Sequence, residues 1–126
     1  MAQDGRRVLV VDDDAVILRL LQVNFEMAGF TVSTAADGAE ALAAATSELP
    51  DLVVCDVMMP RMNGLELVSA LDADDRTRHI PVVLLSARAQ ADDVTEGFGV
   101  GADDYVTKPF EPLELVERVN RLLGAP

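Results

Sequence analysis

Val8-Leu9-Val10-Val11 runs without a polar residue straight into Asp12-Asp13-Asp14. Four apolar residues, three of them β-branched, read as a buried strand. The same figure recurs along the chain. Leu52-Val53-Val54-Cys55 ends in Asp56, Pro81-Val82-Val83-Leu84-Leu85 ends in Ser86, and Tyr105-Val106-Thr107 ends in Lys108-Pro109-Phe110. Lys108 is the only lysine among 22 acidic and ten basic residues. Four apolar strands therefore each deliver a charged or hydroxyl group to one end.

Helices fill the intervals. Asp14 caps a helix whose apolar residues Ile17, Leu20, Leu21, Phe25 and Ala28 fall at helical spacing, with Gly29 at its C-terminus. Phe30 to Thr34 reads as a short second strand. Asp37 caps an alanine-rich helix ending near Ser47, and Pro50 breaks the chain. After the third strand, Val57 to Asn63 is a loop holding Pro60, and Asn63-Gly64 opens a third helix to about Leu71. Asp72 to His79 is a polar connection; the histidine in it reads as an ordinary polar residue. Arg88 to Val100 is a poor helix, since Gly97 and Gly99 each cost about 1 kcal/mol relative to alanine. It is expected to be short or mobile. Gly101 turns into the fifth strand, Asp104 to Thr107. Pro112 begins the last helix, with Leu115, Val119 and Leu122 on one face.

Five β–α units with nearly all-apolar strands imply a parallel sheet covered on both faces, an α/β doubly wound fold with five helices. Ligands bind such sheets outside the carboxyl ends of the strands. Strand two ends in Thr34-Ala35-Ala36 and brings no charge. The order 2-1-3-4-5 places it at the edge and the other four side by side, so the distribution of polar groups favours that order.

At 126 residues this is one domain, 1–126. Half of it is apolar, and mean hydropathy is +0.22. A net charge of −12 argues against direct nucleic-acid binding, which needs clustered cations. No stretch approaches the roughly 18 apolar residues that span a bilayer, and Met1 to Gly5 has no signal core. One cysteine, Cys55, makes no internal disulfide and reads as a small core residue. Together these favour a cytoplasmic location.

Asp12, Asp13 and Asp56 bring three carboxylates together, which repel unless protonated or neutralised by a cation. Hard oxygen donors suit Mg²⁺ or Mn²⁺, and two carboxylates plus a backbone carbonyl leave room for water and a phosphate. With Lys108 as a second cation, Asp56 becomes a nucleophile able to form an aspartyl phosphate. Ser86 would donate a hydrogen bond to a phosphoryl oxygen. Asp14 reads as the helix cap in preference to a ligand.

Val8 to Asp14, Cys55-Asp56-Val57-Met58-Met59-Pro60-Arg61-Met62-Asn63-Gly64, Leu84-Leu85-Ser86-Ala87 and Gly101 to Phe110 together resemble the receiver domain of two-component response regulators. The resemblance covers about residues 6–123. It implies a flavodoxin-like fold and a switch driven by a sensor histidine kinase. Asp56 would be the phosphoacceptor, Asp13 a direct Mg²⁺ ligand, Asp12 one acting largely through water, and the Met58 carbonyl a further ligand. Lys108 would pair with the phosphate, and its bond to Pro109 would be cis. Ser86 would move toward the phosphoryl group and Tyr105 turn inward, remodelling the face made by the fourth helix, fifth strand and fifth helix for a downstream partner. Met58 stands where the family tunes phosphate lifetime, and its apolar side chain predicts slow hydrolysis. The chain would catalyse only its own phosphorylation and dephosphorylation.

Two other functions fit less well. Haloacid-dehalogenase-type phosphatases resemble this site but place a second acid two residues on, where this chain has Met58. A flavin or nucleotide carrier would need a glycine-rich phosphate loop where Asp12-Asp13-Asp14 stands. Gly101 to Tyr105 with Glu114 to Arg118 is also similar to receivers attached to winged-helix DNA-binding domains. There, Asp103 or Asp104 would pair with Arg118 across a homodimer. The sequence stops at Pro126 before any effector domain, so a stand-alone receiver and a piece of a longer regulator both stay open.

Overall fold

The computed structural model describes residues 6–87 and 91–124. Elements alternate strictly: β1 (Arg7–Val11), α1 (Ala15–Met27), β2 (Thr31–Ala35), α2 (Gly38–Glu48), β3 (Leu52–Asp56), α3 (Gly64–Asp72), β4 (Val82–Ser86), α4 (Ala91–Gly99), β5 (Asp104–Thr107) and α5 (Pro112–Leu122). The sheet is parallel throughout, in the order β2-β1-β3-β4-β5. The strand order expected from the polar strand ends is the observed one. The start expected for the fourth helix, at Arg88, lies outside the described residues.

Local chemistry explains the boundaries. Asp14 Oδ1 accepts from Val16 N at 2.9 Å and Ile17 N at 3.4 Å, so this third aspartate is spent as the α1 cap. Asp37 Oδ1 accepts from Glu40 N, and Asn63 and Glu66 form a reciprocal capping box on α3. The chain leaves α1 and α4 through Gly29 and Gly101, whose φ values of 99° and 115° suit glycine.

Alternation along the strands divides the core in two. Val8, Val10, Leu52, Val54, Val83, Leu85 and Val106 face α1 and α5, packing with Leu21, Phe25, Leu115 and Val119. Leu9, Val11, Val53, Cys55, Val82, Leu84 and Tyr105 face the other helices, packing with Ala41, Ala45, Leu67 and Leu71. Each fully buried leucine or valine contributes about 1.5–3 kcal/mol of transfer free energy. The three central strands are buried along nearly their whole length, whereas β2 is partly exposed as an edge should be.

Two positions depart from the periodicity. Leu20 is 40 % exposed and Leu122 37 % exposed, although both fall on the apolar stripes of α1 and α5. A stripe wider than the line of contact leaves its flanks in water.

Candidate functional site

Strand parity carries past the strand ends and sorts the polar groups. Asp12 continues the Val8–Val10 face, Asp56 the Leu52–Val54 face and Lys108 that of Val106, all on the α1–α5 side. Ser86 continues the Val82–Leu84 face, which it shares with Tyr105 beneath α4. Charged groups and hydroxyl–aromatic groups thus lie on opposite faces of the same strand ends.

One carboxylate oxygen from each of Asp12, Asp13 and Asp56 lies within 4.8 Å of the others. Asp12 and Asp56 are buried and Asp13 is exposed, so the cluster is open on one side. Asp12 is held by neighbouring backbone: its N–H donates to Ala35 O at 3.2 Å, and its Oδ1 accepts from Asp14 N at 2.9 Å. The Met58 N–H donates to Asp56 Oδ1 at 3.2 Å. Lys108 Nζ reaches between the two buried acids, 3.3 Å from Asp12 Oδ2 and 3.5 Å from Asp56 Oδ1. The Lys108–Pro109 bond is cis, as the resemblance implies.

One ammonium does not balance three carboxylates. Burial pushes the Asp56 carboxyl above the ordinary carboxylate range, and the Asp12 charge pushes the same way; Lys108 and the Met58 N–H only partly oppose them. Partial burial pulls the Lys108 ammonium down, but Asp56 and Asp12 outweigh it and hold lysine above its usual value. A pocket of hard oxygen donors with surplus negative charge and one open side fits a small divalent cation. Burial likewise drives the Cys55 thiol far up, followed by the Asp56 and Asp12 charges, and its Sγ donates to Asp56 O, so this residue is inert core.

Ser86 is fully buried at the end of β4, opposite Thr107 in the β4–β5 register, and its carbonyl accepts from Lys108 N at 2.8 Å. That bond ties the hydroxyl-bearing strand end to the lysine-bearing one. Tyr105 lies inward, 9 % exposed. Met58 is 52 % exposed beside Asp56, while Met59 is buried.

Gly64 carries a constraint that spacing alone did not reveal. A Cβ there would sit 2.6 Å from Asp56 O and 2.9 Å from Val57 Cα, both backbone atoms. The first turn of α3 therefore presses on the peptide that carries Asp56, and Gly64 N donates to Val57 O at 2.9 Å. Gly64→Ala is expected to destabilise the protein by about 1–3 kcal/mol, the usual cost of overpacking. If the acidic cluster holds Mg²⁺, the substitution should also weaken that binding, because the loop after β3 must move. Denaturation midpoints and a Mg²⁺ titration check this; a parent-like variant in both would refute it.

The acids expected to pair across a dimer have partners within the chain. Arg118 Nη1 contacts both oxygens of Asp104, at 3.1 and 3.0 Å, and Arg118 Nη2 lies 3.6 Å from Glu114. Asp103 instead accepts the Val82 N–H at 2.8 Å and so pins the start of β4. The fifth strand brings Asp104 directly over α5, which spacing does not reveal.

The response regulator receiver domain family matches residues 8–120. Transcriptional regulatory protein PrrA of Mycobacterium tuberculosis is 50 % identical over 117 residues, covering 93 % of this chain and 49 % of that protein. DNA-binding dual master transcriptional regulator RpaA of Synechocystis is 44 % identical, covering 93 % of this chain and 48 % of that protein. The chain thus spans about half the length of these curated relatives. Among solved structures, the receiver domain of the Francisella response regulator 1452 superposes with a TM-score of 0.90 at 38 % identity, covering 95 % of this chain and 98 % of that one. Chemotaxis protein CheY4 of Vibrio cholerae superposes with a TM-score of 0.88 at 36 % identity, covering 92 % and 97 %. A parallel sheet in this order, an acidic cluster with its lysine at the strand ends, and matches along nearly the whole chain agree: the chain belongs to the response regulator receiver domains of two-component systems.

Proposed function

We propose that Asp56 takes a phosphoryl group from a sensor histidine kinase, and that residues 1–126, with a core of about 6–123, act as one receiver unit. The observation that carries this reading is the confinement of Asp12, Asp13 and Asp56 oxygens within 4.8 Å of one another, with Lys108 Nζ between Asp12 and Asp56. In the transfer, an Asp56 carboxylate oxygen attacks phosphorus while the phosphorus–nitrogen bond of a phosphohistidine breaks. The imidazole leaves with the bonding pair, and the acid becomes an acyl phosphate. Asp12, Asp13, Asp56 and the Met58 carbonyl would hold Mg²⁺ or Mn²⁺, which supplies positive charge for the phosphoryl oxygens. Lys108 would pair with one of those oxygens and the Ser86 hydroxyl would donate to another. Tyr105, already inward here, would be held there as Ser86 engages the phosphoryl group, and the α4–β5–α5 face would report the change to a downstream protein or effector domain.

An apolar cleft of about 390 Å³ beside Lys108, lined by Ile17, Leu20, Ala87, Pro109 and Phe110, supports docking of a kinase helix. Leu20, anomalous as a core residue, is accounted for there. Docking of a kinase at this rim would place the protein in the cytoplasm. No described helix is long and apolar enough to cross a membrane. The DNA-binding function in the names of relatives would reside outside the matched half, consistent with a net charge of −12 on this chain. A homodimer through α4–β5–α5 would require Arg118 to leave its own Asp104 for the partner's Asp104. Exchanging the charges of Asp104 and Arg118 together should then rescue association lost in either single variant; no rescue would rule that pairing out.

Intact mass after incubation with acetyl phosphate and Mg²⁺ tests the central reading. One added phosphoryl group, dependent on Mg²⁺ and lost in Asp56→Asn, is expected. No adduct from acetyl phosphate or from a phosphorylated histidine kinase would overturn it. The exposed Met58 thioether offers attacking water only a weak acceptor. Met58→Glu is therefore expected to shorten the lifetime of the adduct, on the order of tenfold. An unchanged decay rate would show that the Met58 side chain does not control water.

A further inference from the structure

Gly97 sits in the second turn of α4 and is buried, where a glycine costs about 1 kcal/mol relative to alanine. A Cβ at this position would lie 2.7 Å from Tyr105 Cδ2, 3.1 Å from Tyr105 Cε2 and 3.3 Å from Leu84 Cδ1. Leu84 is fully buried in β4 and has nowhere to go. Tyr105 stands on the edge strand β5 and is 9 % exposed, so its ring is the neighbour on the solvent side that an added methyl would press outward. Gly99, two residues on, has nothing within 4 Å of the corresponding position. Of the two glycines that weaken α4, only one is explained by close approach.

We propose that Gly97 is the positioning residue of the α4–β5–α5 face, the notch in α4 that admits the Tyr105 ring and so favours the ring-inward form. The backbone of α4 lies directly on the ring, so displacing one displaces the other. Ser86 lies two residues beyond Leu84 on the same strand face as Tyr105, which links the notch to the phosphoryl site. The functional half of this inference rests on Asp56 as phosphoacceptor; the geometric half does not.

The chain has one tyrosine and no tryptophan, so its intrinsic fluorescence reports Tyr105 alone. Acrylamide quenching of Tyr105 fluorescence would be compared for the parent, Gly97→Ala and Gly99→Ala, with no phosphodonor present. Gly97→Ala is expected to shift the inward-to-outward ratio on the order of tenfold and raise quenching, as an overpacked methyl should. Gly99→Ala, which gains helix propensity without meeting the ring, is expected to quench like the parent. Quenching of Gly97→Ala equal to that of the parent would overturn the proposal.

Should Gly97→Ala not fold, the double variant with Tyr105→Ala decides. Restored folding would identify the ring as the colliding group and support the notch; continued failure would overturn it. Uptake of phosphate from acetyl phosphate gives the functional readout. It should slow on the order of tenfold in Gly97→Ala, in step with the ring ratio, and be indifferent to residue 97 when Tyr105 is already alanine. An unchanged rate with a displaced ring would overturn the coupling. If the parent itself takes up no phosphate, the Asp56 reading fails, while the quenching comparison still judges Gly97.

Discussion

In a chelator, Asp56→Asn is expected to melt at a higher temperature than the parent protein, while losing the proposed phosphoryl uptake. Asp56 is buried beside Asp12, and its carboxyl is pushed up first by desolvation and then by that neighbouring charge. An acid with a higher pKa in the folded chain binds protons more readily folded than unfolded. Its favourable contribution is full below the ordinary carboxylate value, 3.8, and is lost as pH rises through the folded value. Above that folded value the parent therefore carries a charge that folding disfavours. Asparagine keeps the shape and an oxygen for the Met58 N–H, and Lys108 retains Asp12 at 3.3 Å. The expected gain is about 1–2 kcal/mol, or roughly 3–10 °C for a chain of this size. It should shrink as pH falls through the raised folded value, where the parent carboxyl takes up its proton. Mg²⁺ should reverse the order, because the parent gains about 2.7 kcal/mol at a hundredfold excess over Kd and the variant gains less. Melting curves with and without metal across this pH range check the prediction. Identical melting in chelator at every pH would mean that the acids are not confined as the geometry has them.

Lys108→Ala is expected to act in the opposite direction. It removes the cation that lies between Asp12 and Asp56 and leaves the cluster uncompensated. Breaking a fully buried pair costs about 3–5 kcal/mol, and the 23 % exposure of this side chain lowers the expectation to about 1–3 kcal/mol. The loss should be greatest in chelator near neutral pH and should diminish on addition of Mg²⁺ or on acidification. Phosphoryl uptake should fall on the order of a hundredfold to a thousandfold, the usual effect of removing one donor to developing negative charge. Lys108→Arg should recover stability better than uptake, since a planar fork does not reproduce a compact ammonium. A stable Lys108→Ala protein with parent-like uptake would remove Lys108 from the proposed chemistry. Because Lys108 is the sole lysine, acylation with an amine reagent touches only it and the N-terminus, and should reproduce the loss of uptake.

The two predictions differ in sign because of one imbalance, three carboxylates against one ammonium. Removing an acid relieves it, and removing the base worsens it. The same imbalance underlies the proposed need for a divalent ion.

What could be read from the sequence was local or periodic. Strands announced themselves by unbroken apolar runs, helix starts by Asp14, Asp37 and Asn63, and the site by the polar group that followed each central strand. Strand order followed because only one common arrangement keeps the uncharged end of β2 away from the others. Five β–α units and the acidic cluster with Lys108 were legible for that reason. The same reading erred where helical spacing stood in for contact. Leu20 and Leu122 lie on their stripes as read, but spacing did not show that they would stay 40 % and 37 % exposed at the flank of the contact. Asp103 and Asp104 were equivalent acids until β5 gave one to the Val82 N–H and the other to Arg118. Gly97 and Gly99 were both marks of a weak helix until α4 lay across the sheet.

By itself, then, the sequence determined the parallel sheet, its order and the identity of the groups at its carboxyl edge, because strand parity, capping and burial act over a few residues. The tertiary structure alone decided which of two similar groups is engaged. Pairing of Arg118 and seating of Tyr105 against Gly97 depend on how close a helix settles on a strand, a distance of a few tenths of an ångström that packing of the whole core sets.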